Sequence, residues 1–131
     1  MAEIPVGTKY ESRILVTSEN AIDFLGDSAR VLSTPRMIGY MEWTCRNAVF
    51  PLLEPGHDTV GTDVNVAHLA ATPIGMTVLF RAEVIAVEGR RIRFRVEATD
   101  EKEKVGEGTH ERTIISVAKF ASRLAGKSQR S

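Results

Sequence analysis

The sequence predicts an α+β fold, a curved antiparallel sheet of about five strands wrapped around one long helix. Three observations predict it. Residues 34–53 carry apolar side chains at helical spacing between clear start and stop signals. Four later segments, 58–72, 75–88, 90–100 and 104–119, are rich in Val, Ile, Thr and Phe. The connections between those segments are too short for parallel crossovers, so the strands must run antiparallel.

The first strand is expected over 10–18 (YESRILVTS), which mixes β-branched and polar residues. Residues 19–33 are less regular. Ala21, Ile22, Phe24 and Leu25 suit one helical turn, and Gly26 and Asp27 break it. This stretch reads as a flap over a site or as a plain connection. In the long helix, Thr34 is the expected N-cap and Pro35 fits the first helical position, where no donor is needed. Ile38, Met41, Cys45, Val49 and Leu52 form the expected buried stripe, widened by Met37, Tyr40 and Phe50. Glu54, Pro55 and Gly56 end the helix. Turns at Pro73-Ile74-Gly75, Glu88-Gly89-Arg90 and 100–104 then separate the strands. Residues 119–131 are expected to fray. No linker or repeat interrupts the chain, which reads as one domain over 1–131.

Composition bounds the function class. Lys+Arg and Asp+Glu both number 17, so a neutral chain offers no general attraction to nucleic acid or an anionic membrane. The start, MAEIPVGTKYES, lacks the basic and apolar regions of a secretory signal, and no apolar run is long enough to span a bilayer. One cysteine, Cys45, on the core stripe suits a reducing compartment, and a cytoplasmic protein is expected. The three His and one Cys have no metal-ligand spacing, and the glycines form no phosphate loop.

Few residues are chemically conspicuous. Glu42 interrupts an apolar helix; it is either paired with Arg46 four residues on, or a carboxylate held in a partly dry cleft as a base or nucleophile. His68 shares a strand face with Val64, Val66 and Ala70, as a structural histidine or a proton-shuttling one. Thr34 and Glu42 lie on one line of the helix, but two turns, about 12 Å, keep them out of direct contact. Gly61 opens the strand of His68 and serves either as turn relief or as a close approach to a ligand. Arg112 shares a face with His110 and has Glu97, Glu111 or a phosphate as candidate partners. His57 falls in a polar loop. Lys119, Arg123, Lys127 and Arg130 near helical spacing either solubilise the tail or meet phosphates.

Five segments make a specific combination: G-Y-M-E-W-T-C at 39–45, L-L-E-P-G at 52–56, G-T-D-V-N-V-A-H-L-A-A-T-P-I-G at 61–75, V-E-G-R-R at 87–91 and G-T-H-E-R at 108–112. In this order they resemble the fluoroacetyl-CoA thioesterase family of hotdog proteins. The resemblance implies a sheet wrapped around the long helix. It also implies a homodimer joined at sheet edges with two active sites at the interface. It assigns a catalytic set to Thr34, Glu42 and His68 and substrate contacts to Gly61 and Arg112, with no metal and no cofactor beyond the CoA of the substrate. Glu42 would attack the thioester carbonyl or activate water, and His68 would assist the oxyanion and the leaving thiolate. Where the family's fluoroacetyl-selective member carries an aromatic gate in its lid segment, the corresponding residue here is Ser28, with Phe24 as the alternative occupant of that role. The expected activity is hydrolysis of a small acyl-CoA. The alternatives are an acyl-CoA-binding hotdog protein without turnover and a hotdog dehydratase or hydratase, whose helix motif is absent.

Overall fold

The computed structural model describes residues 3–129. Its strands are β1 (Lys9–Leu15), β2 (His57–His68), β3 (Thr77–Glu88), β4 (Arg91–Thr99) and β5 (Lys104–Ser116), and its helices are α1 (Thr34–Val49) and α2 (Val117–Ser128). Short 3-10 turns occupy Asp27–Ala29 and Phe50–Leu52. All five strands pair antiparallel in the order β1-β3-β4-β5-β2. α1 lies across the concave face and meets every strand. The expected architecture holds. It leaves β2, the strand of Gly61 and His68, at a sheet edge.

The core forms between the helix and the inner faces of β3, β4 and β5. Met37, Met41, Cys45, Ala48 and Val49 of α1 pack with Phe80, Val84, Ile92, Phe94 and Val96. Each large apolar side chain buried there contributes about 1.5–3 kcal/mol. The helix is turned slightly from the expected stripe. Met37, Thr44 and Ala48 are buried, whereas Ile38 is partly exposed and Leu52 lies outside, in the 3-10 turn after α1.

Three boundaries differ from the sequence reading. The N-cap is Ser33, whose hydroxyl accepts from the Arg36 amide at 3.3 Å, so Thr34 is already helical. Ser and Thr cap about equally well, and the fixed φ of Pro35 is satisfied with either as cap. At the other end the last strand stops at Ser116. That residue caps α2 by accepting from Lys119, and residues 117–128 are helical where a fraying tail is expected. Val117, Phe120, Ala121 and Leu124 supply a helical spacing that the polar residues around them obscure. Arg130, the last cation of the expected basic run, lies outside the described residues. Residues 17–33, finally, form a tied loop. Asn20 donates to the Leu15 carbonyl at 3.0 Å and to the Tyr40 hydroxyl at 3.1 Å, and Arg30 donates to the carbonyls of Ile22 and Ser18.

Candidate active site

The five residues singled out by sequence fall into two clusters. The first gathers Glu42, Gly61 and Arg112. Arg112, on the inner face of β5, is 7% exposed. Its Nε donates to the Thr59 hydroxyl at 2.7 Å, Nη2 to the Thr59 carbonyl at 2.8 Å and Nη1 to His110 Nε2 at 3.2 Å. Nη1 also stands 3.6 Å from Glu42 Oε2. Burial pulls the guanidinium below its ordinary pKa, and the opposing charge of Glu42 resists that pull. A buried cation needs such partners, because an unpaired one is strongly destabilising.

His110 is the functional neighbour that sequence reasoning leaves without a role. It is buried, stacks on Phe94 at 6.2 Å, and its Nδ1 donates to the Asp63 carbonyl at 2.7 Å. That bond fixes the tautomer, so Nε2 is the acceptor for Arg112. Burial, helped by the Arg112 charge, lowers its pKa against the pull of the Asp63 carbonyl and nearby carboxylates. The alternation of β5 puts His110 beside Arg112 on one face, which is the signal that could have revealed it.

Gly61 makes room for this cluster. A Cβ built there would stand 2.8 Å from Glu42 Oε2 and 3.1 Å from His110 Cε1. Any side chain would therefore push the carboxylate. The β2–β5 register shifts between Gly61 and Asp63, a bulge of the kind that re-aims side chains near sites. Arg46 is not the partner of Glu42. It grips Asp58 with two bonds, 2.7 and 3.1 Å, and lies over the Phe50 ring at 3.9 Å. The bidentate geometry of Asp58 outcompetes a one-turn helix pair.

The second cluster is Thr34 and His68, whose Oγ1 and Nδ1 are 2.7 Å apart. Because Ser33 takes the cap, the Thr34 hydroxyl is left for this bond. Burial lowers the pKa of His68 below the ordinary histidine value, opposed by a backbone group of Ala70. Its Nε2 is buried with no hydrogen-bond partner among the described residues. Such an orphan costs about 1–3 kcal/mol and is characteristic of functional sites.

The two clusters do not meet within one chain. Thr34 and Glu42 are eight residues apart on α1, about 12 Å of axial rise. Gly61 and His68 are seven apart on β2, about 20 Å even with the bulge. Cys45 lies between the helix and the sheet. Burial raises its thiol far above the ordinary value, aided by Glu42 against Arg112, so it packs and does not react. Among the described residues no group of His, Cys, Asp or Glu could hold a metal ion, and no helix is long and apolar enough to cross a membrane.

Comparison with known proteins shows the family and the fold of the chain. The family model described as "fluoroacetyl-CoA-specific thioesterase" matches residues 16–118. The curated fluoroacetyl-CoA thioesterase of Streptantibioticus cattleyicolor is 47% identical over 97 residues, 74% of this chain and 70% of its own. A solved structure of a fluoroacetyl-CoA thioesterase superposes with TM-score 0.89 at 37% identity, covering 97% of this chain and 99% of its own. A thioesterase superfamily member from Thermus thermophilus gives TM-score 0.87 at 33% identity, covering 97% of each chain.

Proposed function

We propose that two copies of this chain, a member of the fluoroacetyl-CoA-specific thioesterase family with its hotdog fold, build each reacting centre together and there hydrolyse a small acyl-CoA. The family carries the reaction class, and the chain is an acyl-CoA thioesterase. The observation behind the shared centre is the separation of Thr34–His68 from Glu42–Arg112–Gly61 along an edge strand. β2 pairs only with β5, and residues 61–65 on it are exposed. An exposed edge strand invites pairing with another. Antiparallel pairing of two β2 edges centred between Val64 and Asn65 sets Gly61 opposite His68 of the second copy. The isologous contact then assembles two identical centres, each with a carboxylate from one subunit and an imidazole from the other.

In that centre the Glu42 carboxylate attacks the thioester carbonyl or takes a proton from the attacking water. Arg112 and the space at Gly61 hold it in line. His68, oriented by Thr34, hydrogen-bonds the oxyanion, and as the C–S bond breaks the thiolate takes the proton released by the attacking water; on the nucleophilic route that water hydrolyses the Glu42–acyl anhydride and restores the carboxylate. One water is consumed, and a free acid and the CoA thiol leave. These steps call on no cofactor, and a cytoplasmic acyl-CoA pool would supply the substrate. Ser28 lies in the loop where the fluoroacetyl-selective member carries its aromatic gate, and unless Phe24 takes that role, discrimination in favour of fluoroacetyl over acetyl is not expected.

Thiol release from a panel of acyl-CoAs, acetyl and fluoroacetyl to phenylacetyl and hexanoyl, tests the reading. Wild type should cleave one class, and a folded Glu42→Gln variant should not. Absence of cleavage across the panel would favour a protein that only binds acyl-CoA.

A further inference from the structure

The two flanks of the Arg112 guanidinium are held by different residues. Thr59 takes one flank: its hydroxyl accepts from Nε at 2.7 Å and its carbonyl from Nη2 at 2.8 Å. The other flank, Nη1, is the end that faces Glu42, at 3.6 Å from Oε2. Among the described residues the hydrogen-bond acceptor of Nη1 is His110 Nε2, at 3.2 Å. The aim of Nη1 at the carboxylate therefore rests on the imidazole.

His110 is itself a rigid post. Its ring is 2% exposed. Nδ1 donates to the Asp63 carbonyl at 2.7 Å, just past the bulge in β2, and the ring stacks on Phe94 of β4. Its Cε1 fills the space beside Gly61, where a Cβ would come within 3.1 Å. An apolar side chain would fill this place without the cost of burying two ring nitrogens. The imidazole is matched on both sides instead, with a donor to β2 and an acceptor for Arg112. The charged groups around it are Arg112 from its own strand, Glu42 from α1 and Asp63 from β2. Only the neutral ring with its hydrogen on Nδ1 serves both partners; an imidazolium has no lone pair for Arg112 and repels it.

We propose that His110 is a positioning residue for hydrolysis, which aims Nη1 of Arg112 at Glu42 and so holds the carboxylate in its reacting orientation. The proposal rests on the reading of Glu42 as base or nucleophile. His110 lies behind Arg112, so its loss acts on the chemical step and not on the binding of acyl-CoA.

Two side chains of similar size separate positioning from packing. His110→Leu offers Nη1 no acceptor, and His110→Gln offers one. His110→Leu should lower kcat roughly tenfold, with KM for the acyl-CoA within about twofold of wild type, as one hydrogen bond to a charged group is lost and the carboxylate drifts. His110→Gln should recover most of that loss. Wild-type kcat in His110→Leu overturns the proposal. So does an equal loss in both variants, which would make the imidazole a packing group alone, or a loss carried by KM. A second measurement leaves His110 in place. Nitrogen NMR of its ring should show Nδ1 protonated and Nε2 bare at neutral pH, and Glu42→Gln should move the Nε2 resonance by removing the counter-charge of Nη1. A protonated Nε2, or a resonance indifferent to Glu42, overturns the proposal even if His110→Leu does not fold. Wild-type thiol release by Glu42→Gln would overturn the reading of Glu42 itself, whereas an inactive Glu42→Gln beside a fully active His110→Leu overturns the role of His110 alone.

Discussion

The two halves of the candidate centre are built in opposite ways. The Glu42 half is sunk into the sheet: Arg112 is bonded to Thr59 and His110, His110 is held by Asp63, and Gly61 leaves the carboxylate its space. The Thr34 half is a single hydrogen bond at the helix start, with a histidine whose second nitrogen has no partner among the described residues. The first has its partners within one chain, and the second keeps one nitrogen unpartnered among the described residues. In the proposed shared centre, the group that holds the carboxylate in line is over-determined, whereas the pair proposed to meet another subunit's carboxylate and a substrate is left open. Mutations should therefore act differently on the two halves.

The largest effect is expected at Glu42. Glu42→Gln should keep the fold and lower kcat by about 10³-fold, within the span usual for a lost base, as measured by thiol release. Next is Arg112. Arg112→Ala should reduce stability by about 3 kcal/mol, because it strips a buried cation from Thr59, His110 and Glu42 together. Denaturant unfolding reads this, and a change under 1 kcal/mol would mean that the cluster is looser than its geometry. Gly61→Ala should then lower kcat by roughly 10²-fold with little loss of stability, since the added methyl moves the carboxylate rather than the core. Thr34→Ala should cost only about tenfold in kcat, one hydrogen bond's worth, and Thr34→Ser should recover it.

The pH dependence sharpens the same contrast. Burial lowers the pKa of both His68 and His110, so below the ordinary histidine value, near 6.5, the unfolded chain binds protons that the folded chain refuses. Stability should fall as pH drops from 7 towards 5. Protonation of His110 also removes the acceptor of Arg112, so His110→Gln should flatten the slope in thermal unfolding. A slope unchanged by that substitution would count against His110 as the acid-sensitive group.

Much of this was legible in the sequence. Helix and strand patterns give the architecture, because a period of 3.6 and a period of 2 cannot be confused over segments this long. Glu42, His68 and Gly61 stood out as a charge, an imidazole and a glycine inside apolar runs. The partners were harder. Arg46 looked like the mate of Glu42 because helix spacing is visible in one dimension. Asp58 and Arg112 reach the helix from strands whose register the sequence does not print. The cap fell to Ser33 rather than Thr34 because neighbouring hydroxyls compete almost equally. The second helix was hidden by its polar residues.

The shared centre is tested most directly by mixing two inactive variants, Glu42→Ala and His68→Ala, each folded and dimeric, after unfolding and refolding together. If each centre takes Glu42 from one subunit and His68 from the other, mixed dimers carry one intact centre, and about a quarter of wild-type thiol release should return. If the mixture stays as inactive as its parents although mixed dimers form, Glu42 and His68 act within one chain and the account is wrong.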